Sequence, residues 1–374
     1  MKLLIVTEPA PAGFSVQFRI CLSVAKELTE FGEVHVASTY IHPNKVQDLR
    51  RLGVSARVPR GFSNFALGFS DRVTRYESLL WGGSWALEGL LQTNSRVIQN
   101  VTESESYDFV LNTSYTIPCD ADVLWMMGSP LDATLSTLAM SSRWMRMVNA
   151  LGSPEVRAID RSLLKRLFSR SKKAVANCNY NRARWESLGF PMAGVVYSAC
   201  LAGFNPTTPS PLRNYVLAYL GKETELETLS RCLEHGIRIV GFGSKIPSSM
   251  VKVSNGGGEF DFRGKVSDEE LTRLYTNALF TALPVTDEPF GEVPLESMAC
   301  GTPVLTYGRQ GQLESIIDGR TGWLVANSDE FVSRATDLWE RKSTGIASQA
   351  CLTQAARFSS VKVGRELYRF ALPA

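Results

Sequence analysis

Histidine is scarce in this chain of 374 residues, which has only three: His35, His42 and His235. They do not cluster, and no two cysteines form a CxxC pair, so the common zinc spacings are excluded. The seven cysteines are scattered and odd in number. That fits packed, reduced thiols in a reducing compartment rather than a disulfide framework. No apolar run reaches the ~20 residues of a membrane-spanning helix. The apolar run over residues 1–6 is too short for the core of a secretory leader and then meets Glu8 and Pro9, so a cytoplasmic protein is expected. The net charge of +3 is too small to call for a nucleic-acid partner.

The chain is long enough for two domains with separate cores, and its 44% hydrophobic and 21% charged residues are those of an ordinary globular protein. Residues 2–7 read as a short buried strand. Val16, Ile20, Val24, Ala25 and Leu28 then recur at helical spacing up to Gly32, and residues 34–37 form the next strand. This is the opening βαβ of a doubly wound domain. Further strands are expected at 109–111, 123–125 and 174–176, with a helix from about Asn177 to Leu188. Residues 203–211 hold three prolines and few large side chains, which marks a boundary. A second series of strands follows at 215–220, 237–240, 259–263, 278–283 and 303–306, and a helix at 361–370. The expected α/β organisation is therefore two Rossmann-like domains, residues 1–205 and 206–355, with a tail at 356–374.

The densest chemistry lies between Asp287 and Val304. Glu288 stands on the loop that leaves a buried strand. Residues 293–300 read as a helix, with Pro294 in its first turn and Gly301 at its end. Glu296 lies about one turn into that helix. Backbone N–H groups of the Pro289-Phe290-Gly291 loop and a helix N-terminus suit an anionic group, and two carboxylates suit sugar hydroxyls. A nucleotide sugar has both kinds of group.

This stretch resembles the donor-site signature of the retaining glycosyltransferases of family four, which have the GT-B fold. The likeness continues through Glu314-Ser315-Ile316-Ile317-Asp318-Gly319-Arg320-Thr321-Gly322 to Val325. It implies two Rossmann-like domains with a cleft between them, a C-terminal helix crossing back to the first domain, and transfer from a nucleotide-diphosphate sugar without an enzyme nucleophile. Glu296 would bond the ribose. Glu288 and the backbone of Phe290, Gly291 and Glu292, with Leu295 beside them, would hold the donor sugar. Lys222 stands where the family has the Arg that grips the diphosphate, so a point charge replaces a bidentate fork. The family's second cation is missing, since Leu226 or Glu227 occupies its place. Lys245, after Gly241-Phe242-Gly243-Ser244, either replaces it or is an ordinary exposed lysine. Gly241 belongs to a Gly-x-Gly turn after a strand; a nicotinamide site is rejected because the third glycine is absent and Pro247 follows. The loop Arg263-Gly264-Lys265-Val266 would touch the nucleobase, or would be a plain strand-to-helix turn. Ser267 and Glu270 read as a capping box.

In the first domain, Gly13 follows the first strand where the family has two glycines, and Gly128 opens a loop where the family places a histidine. None of the three histidines falls there. Asp120-Ala121-Asp122 has the metal-binding D-x-D pattern but precedes its strand, so no metal cofactor is expected. Cationic side chains and helix dipoles would then serve the leaving diphosphate. Residues 143–173 are rich in Arg and Lys. Ile159, Leu163, Leu164 and Leu167 form one helical side and Arg157, Arg161 and Lys165 another. This is either a surface helix packed on the core or a peripheral contact with the cytoplasmic face of a membrane. The acceptor would be a glycan, a lipid-linked glycan or a small molecule. Two rivals are a GT-B enzyme such as a sugar-nucleotide epimerase or phosphorylase, and a degenerate relative that binds without catalysis.

Overall fold

The computed structural model describes residues 1–8, 10, 16–58, 105–130, 157–158, 160–198, 204–206, 213–221, 223–243, 258–286, 288–358 and 360–372. The chain divides into two compact units, one of Met1–Ala199 with Ser360–Ala374 and one of Cys200–Ser359. The expected boundaries at 205/206 and 355/356 fall a few residues from these.

The first unit holds β1 (Lys2–Val6), β2 (Glu33–Ala37), β3 (Ser55–Arg57), β4 (Phe109–Asn112), β5 (Ala121–Met126), β6 (Ser171–Ala176) and β7 (Gly194–Val195). They form one parallel sheet in the order β3-β2-β1-β4-β5-β6-β7. After Lys2, β1 is apolar because both faces of the sheet are covered; Leu3, Leu4, Ile5 and Val6 have no exposed surface. β3 and β7 escaped the sequence reading because neither carries a continuous apolar run. The helix over residues 160–169 buries Leu163, Leu164 and Leu167 against Trp185 and Phe190 and leaves Arg161 and Lys165 exposed. Its apolar side is thus spent on the core. Residues 143–156 and Ile159, the rest of the membrane-contact expectation, lie outside the described residues. Among the described residues no helix is long and apolar enough to cross a membrane.

The C-terminal helix Ser360–Ala371 packs on the helix Val16–Leu28 of this unit. The Gly364 N–H donates to Glu27 at 2.8 Å, and Tyr368 stacks on Phe31 at 5.1 Å and meets Phe109 edge-on at 5.3 Å.

The second unit holds β8 (Val216–Leu220), β9 (Ile239–Gly243), β10 (Phe260–Phe262), β11 (Thr281–Leu283), β12 (Val304–Tyr307) and β13 (Gly322–Val325). Its sheet is also parallel, in the order β10-β9-β8-β11-β12-β13. Phe280, Leu305, Phe331, Leu229 and Ile239 lie in its core. One expectation is corrected here. Gly241-Phe242-Gly243 is not a turn after a strand but the end of β9, with Ala218 opposite Gly241 and Leu220 opposite Gly243. Gly243 has φ +128, and a Cβ on it would lie 2.4 Å from the Leu220 carbonyl oxygen. The glycine lets two strands close up at the sheet's carboxyl end.

Candidate active site

Strand order in the second sheet reverses at β8, whose neighbours are β9 and β11. In open α/β sheets the crevice beyond the carboxyl ends of such strands is where ligands bind. The loops after β8 and β11 meet there. Thr286 N–H donates to the Glu223 carbonyl (2.9 Å) and Glu225 N–H to the Pro284 carbonyl (2.8 Å). The Thr286 hydroxyl adds a 3.0 Å bond to Glu223, and Gly221 N–H donates to Thr224 Oγ1 at 3.0 Å. The segment carrying Glu288 is therefore fixed against the segment flanking Lys222. Lys222 itself, like Lys245, lies outside the described residues.

The helix after β11 runs Glu292–Ala299, with Gly291 at its N-cap. Gly291 has φ +79, and a Cβ there would sit 2.9 Å from Glu288 Cγ and 3.2 Å from Pro294 Cδ. The Glu288 side chain thus folds over the helix start. Phe290 and Leu295 are buried, and Phe290 packs on Phe358 at 5.6 Å. The helix is tied down by polar bonds. Ser297 Oγ lies 2.7 Å from Thr281 Oγ1 and donates to the Thr302 carbonyl at 2.9 Å, while Thr302 Oγ1 donates to the Tyr275 carbonyl at 2.7 Å.

Glu296 is buried, 5% exposed, on this fixed helix. The hydroxyl of fully buried Tyr275 donates to its Oε2 at 3.0 Å. Burial and the Glu296 charge push the Tyr275 phenol well above its ordinary range. The Tyr219 phenol, on β8, is pushed up by burial and then by Glu223, Glu288 and Glu296. Both sequence-marked carboxylates thus act on the Tyr219 phenol. Burial, opposed by a Thr276 bond and reinforced by Glu296, pushes the nearby Cys300 thiol up to about 12, so it is inert at neutral pH.

At the next loop, Gly243 N–H donates to the Gly264 carbonyl (2.9 Å) and Arg263 N–H to the Gly241 carbonyl (2.8 Å), which brings Gly241, Arg263 and Gly264 together. Arg263 is exposed and paired with Asp261 at 2.8 Å, and Val266 is half-buried. Ser267 caps the helix Asp268–Asn277 by accepting from Glu270 N–H at 3.2 Å.

Some residues of this site carried no signal in the sequence reading. Arg309 donates to the Val285 carbonyl at 2.9 Å and lies 3.5 Å from Glu225. Gln310 accepts from Glu288 N–H at 2.7 Å. The end of the buried Gln312 side chain lies 2.6 Å from the Arg309 carbonyl and 3.2 Å from the Glu288 carbonyl, so its amide donates to both when its nitrogen is turned toward them. The clue was Gly311, whose would-be Cβ lies 2.0 Å from the Pro289 carbonyl, a contact that only glycine permits.

In the first unit, Gly13 lies outside the described residues. Gly128 N–H donates to the Tyr115 hydroxyl, and the Gly128 carbonyl accepts from Trp185 Nε1 at 3.2 Å. Glu8, two residues beyond β1, accepts from Tyr115 N–H at 2.7 Å and from Thr116 Oγ1 at 2.5 Å. The histidines are structural in their contacts. Buried His35 lies between Tyr107 and Glu33, each 2.8 Å away. His42 caps the helix Pro43–Arg51, and His235 lies 2.9 Å from the Arg231 carbonyl. Asp120 pairs with Arg170 at 2.9 Å, and Asp122 pairs with Lys172 at 2.7 Å and accepts from Val110 N–H at 2.8 Å. Among the described residues, no three His, Cys, Asp or Glu gather as a metal-ligand group.

Comparison with known proteins now bears on this geometry. Residues 237–357, which include Glu288, Glu296 and Gln310, match the family model described as Glycosyl transferases group 1. The D-inositol 3-phosphate glycosyltransferase of Mycolicibacterium smegmatis is 28% identical over 165 residues, covering 40% of this chain and 38% of that protein. The chain thus spans well under half the length of this curated relative. Anabaena HepE, solved in complex with UDP-glucose, superposes with a TM-score of 0.63 at 17% identity over 99% of this chain and 98% of its own. WaaG, a glycosyltransferase involved in lipopolysaccharide biosynthesis, gives 0.64 at 12% identity over the whole of both chains. The two parallel-sheet units are those of the GT-B glycosyltransferase fold, and the second unit carries a region similar to the glycosyl transferases of group 1.

Proposed function

We propose that this chain is a retaining, metal-independent glycosyltransferase that moves a hexose from a nucleoside-diphosphate sugar to a hydroxyl-bearing acceptor. The observation that carries the reading is the disposition of Glu288 and Glu296. Glu288 lies on the loop and Glu296 about one turn into the helix of one segment, beyond the carboxyl end of β11, with Tyr275 holding Glu296. A buried, hydrogen-bonded carboxylate in that place suits a ribose diol, and a loop carboxylate beside the helix N-terminus suits the donor sugar. The helix dipole and Lys222, with Lys245 as a second cation, would stabilise the departing diphosphate. Retention, which the family resemblance implies, would require front-face attack of the acceptor hydroxyl as the diphosphate leaves, since no enzyme nucleophile is proposed.

UDP-glucose is the first donor to test, since it is the ligand in the Anabaena HepE complex. The acceptor class is a glycan, a lipid-linked glycan or a small polyol. A phosphorylated cyclitol enters through the name of the M. smegmatis relative. The first unit would carry the acceptor side. Six buried free cysteines among the described residues support a reducing, cytoplasmic location.

A thermal-shift series tests the reading, because a ligand that binds only the native state raises its stability. UDP and UDP-glucose are expected to raise the melting temperature, uridine much less, and UDP-glucose is expected to release UDP slowly without acceptor. No shift with any nucleoside diphosphate or its sugar, and no release, would sink it.

A further inference from the structure

Gln310 is one of two non-glycine residues with positive φ among the described residues, at +59. The reason lies next door. At Gly311 the chain is pressed so closely on the Pro289-Phe290 backbone that a Cβ would lie 2.0 Å from the Pro289 carbonyl oxygen and 2.4 Å from Phe290 Cα. The path of the loop is fixed by that contact, and residue 310 must accept the left-handed conformation. Glycine would adopt it at least cost. A glutamine there is strained, and such strain persists where the surrounding structure holds it.

What glutamine supplies instead is an amide. Its Oε1 accepts from the Glu288 N–H at 2.7 Å, and its Nε2 donates to the Thr286 carbonyl at 3.4 Å. Both partners are backbone groups of the segment that carries the Glu288 carboxylate. Arg309 and Gln312 hold that segment at the Val285 and Glu288 carbonyls, but the Glu288 N–H is engaged by Gln310. Two hydrogen bonds roughly offset the backbone strain, so the side chain adds little net stability. Its distinct effect is on shape.

We propose that Gln310 is a positioning residue for donor-sugar recognition: its amide ties the Thr286 carbonyl and the Glu288 N–H so that the Glu288 carboxylate is preorganised for the sugar of the donor. This rests on the proposed function and assigns a specificity element within that site. Preorganisation of this kind affects ligands that use Glu288 and spares those that do not.

Gln310→Gly relieves the strain and removes the amide. Gln310→Asn keeps an amide and tolerates left-handed backbone, but its arm is one methylene short. Each variant is compared with wild type by thermal unfolding, by titration with UDP and with UDP-glucose, and by hydrogen exchange of the peptide spanning residues 286–291. In both variants we expect an unchanged or higher melting temperature, faster exchange at the Glu288 amide, UDP affinity within twofold of wild type, and UDP-glucose affinity lowered by roughly tenfold, the scale of one lost polar contact. An unchanged ratio of UDP-glucose to UDP affinity overturns the proposal, as does a melting temperature that falls together with both affinities. A wild-type protein that binds UDP-glucose no better than UDP, or neither, overturns it as well. Binding of neither also removes the donor-site reading, whereas an unchanged ratio in variants of a protein that binds both leaves that reading intact.

Discussion

Glu296→Gln isolates the charge of the buried carboxylate from its shape. Truncation to alanine would be ambiguous. It would orphan the Tyr275 hydroxyl, which donates to Glu296 at 3.0 Å in a fully buried place, at a cost of about 1–3 kcal/mol in stability. Glutamine keeps a carbonyl for Tyr275 and fills the same volume. If Glu296 accepts from a ribose hydroxyl, the variant exchanges a charge-assisted hydrogen bond of about 1.5–3 kcal/mol for a neutral one of about 0.5–1.5. The difference, about 1–1.5 kcal/mol, is roughly a five- to twelvefold rise in Kd. Isothermal titration with UDP measures it, with 2′-deoxy and 3′-deoxy UDP as controls. The deoxy nucleotide that lacks the contacted hydroxyl should bind wild type and variant alike. Equal UDP affinity for the two proteins, at equal melting temperature, would refute the ribose contact and with it the main support for the donor site.

Gly291→Ala should lower stability by about 1–2 kcal/mol, because φ is +79 and the new Cβ meets Glu288 Cγ at 2.9 Å. It should weaken UDP-glucose more than UDP, and an equal loss for both would show that Glu288 does not face the sugar. Lys222→Ala should weaken UDP far more than uridine while Lys222→Arg is tolerated, and Lys245→Ala should show a comparable loss if it is the second cation; normal UDP binding by Lys222→Ala removes that residue from the site. Transfer should survive EDTA, and a loss restored by manganese would return Asp120 and Asp122 to consideration. Burial raises the Glu8 carboxyl above its ordinary value of 4.5, against the opposing bonds from Thr116 and Tyr115. Between that value and the folded one, the unfolded chain releases a proton that the native state keeps, so stability falls as pH rises. Glu8→Gln should flatten this slope in denaturant melts from pH 4 to 8, and an unchanged slope would show that Glu8 does not cause it.

The fold was legible wherever one segment carried its own period. β1, β2, β8 and β12 are short, mostly apolar and largely buried strands, and the helix Val16–Leu28 repeats its apolar residues every turn. β3, β7 and β13 are not marked as strands in this way: β3 is half-buried with no apolar run, β7 is two residues long, and β13 lies inside the motif that runs from Glu314 to Val325. The ends of β9 were misread because glycine suggests a turn. In this sheet the glycines serve to bring Gly243 against Leu220, a fact about a partner strand that residues 239–243 do not carry.

The site was legible in the same uneven way. Glu288, Phe290, Gly291 and Glu296 stand close together in one segment, so their chemistry shows in order along the chain. What holds them does not. Tyr275 reaches Glu296 across 21 positions, and Gln310 reaches Glu288 across 22. Neither is marked by its residue type, since a tyrosine on a helix and a glutamine on a loop are common in any protein. Gln310 becomes informative only when its backbone angle is known, because strain at one residue is unintelligible until the chain that imposes it is seen. Gly311 was the local trace of that contact: a glycine beside a polar loop residue, required by the backbone of residues 289 and 290. Groups that would touch a ligand can thus lie in one run of sequence, while the groups that hold them come from elsewhere, Tyr275 from the helix Asp268–Asn277 and Gln310 from a neighbouring strand's loop. In this second unit that supporting loop follows β12, the strand next to β11, so the sheet order itself delivers Gln310 to Glu288.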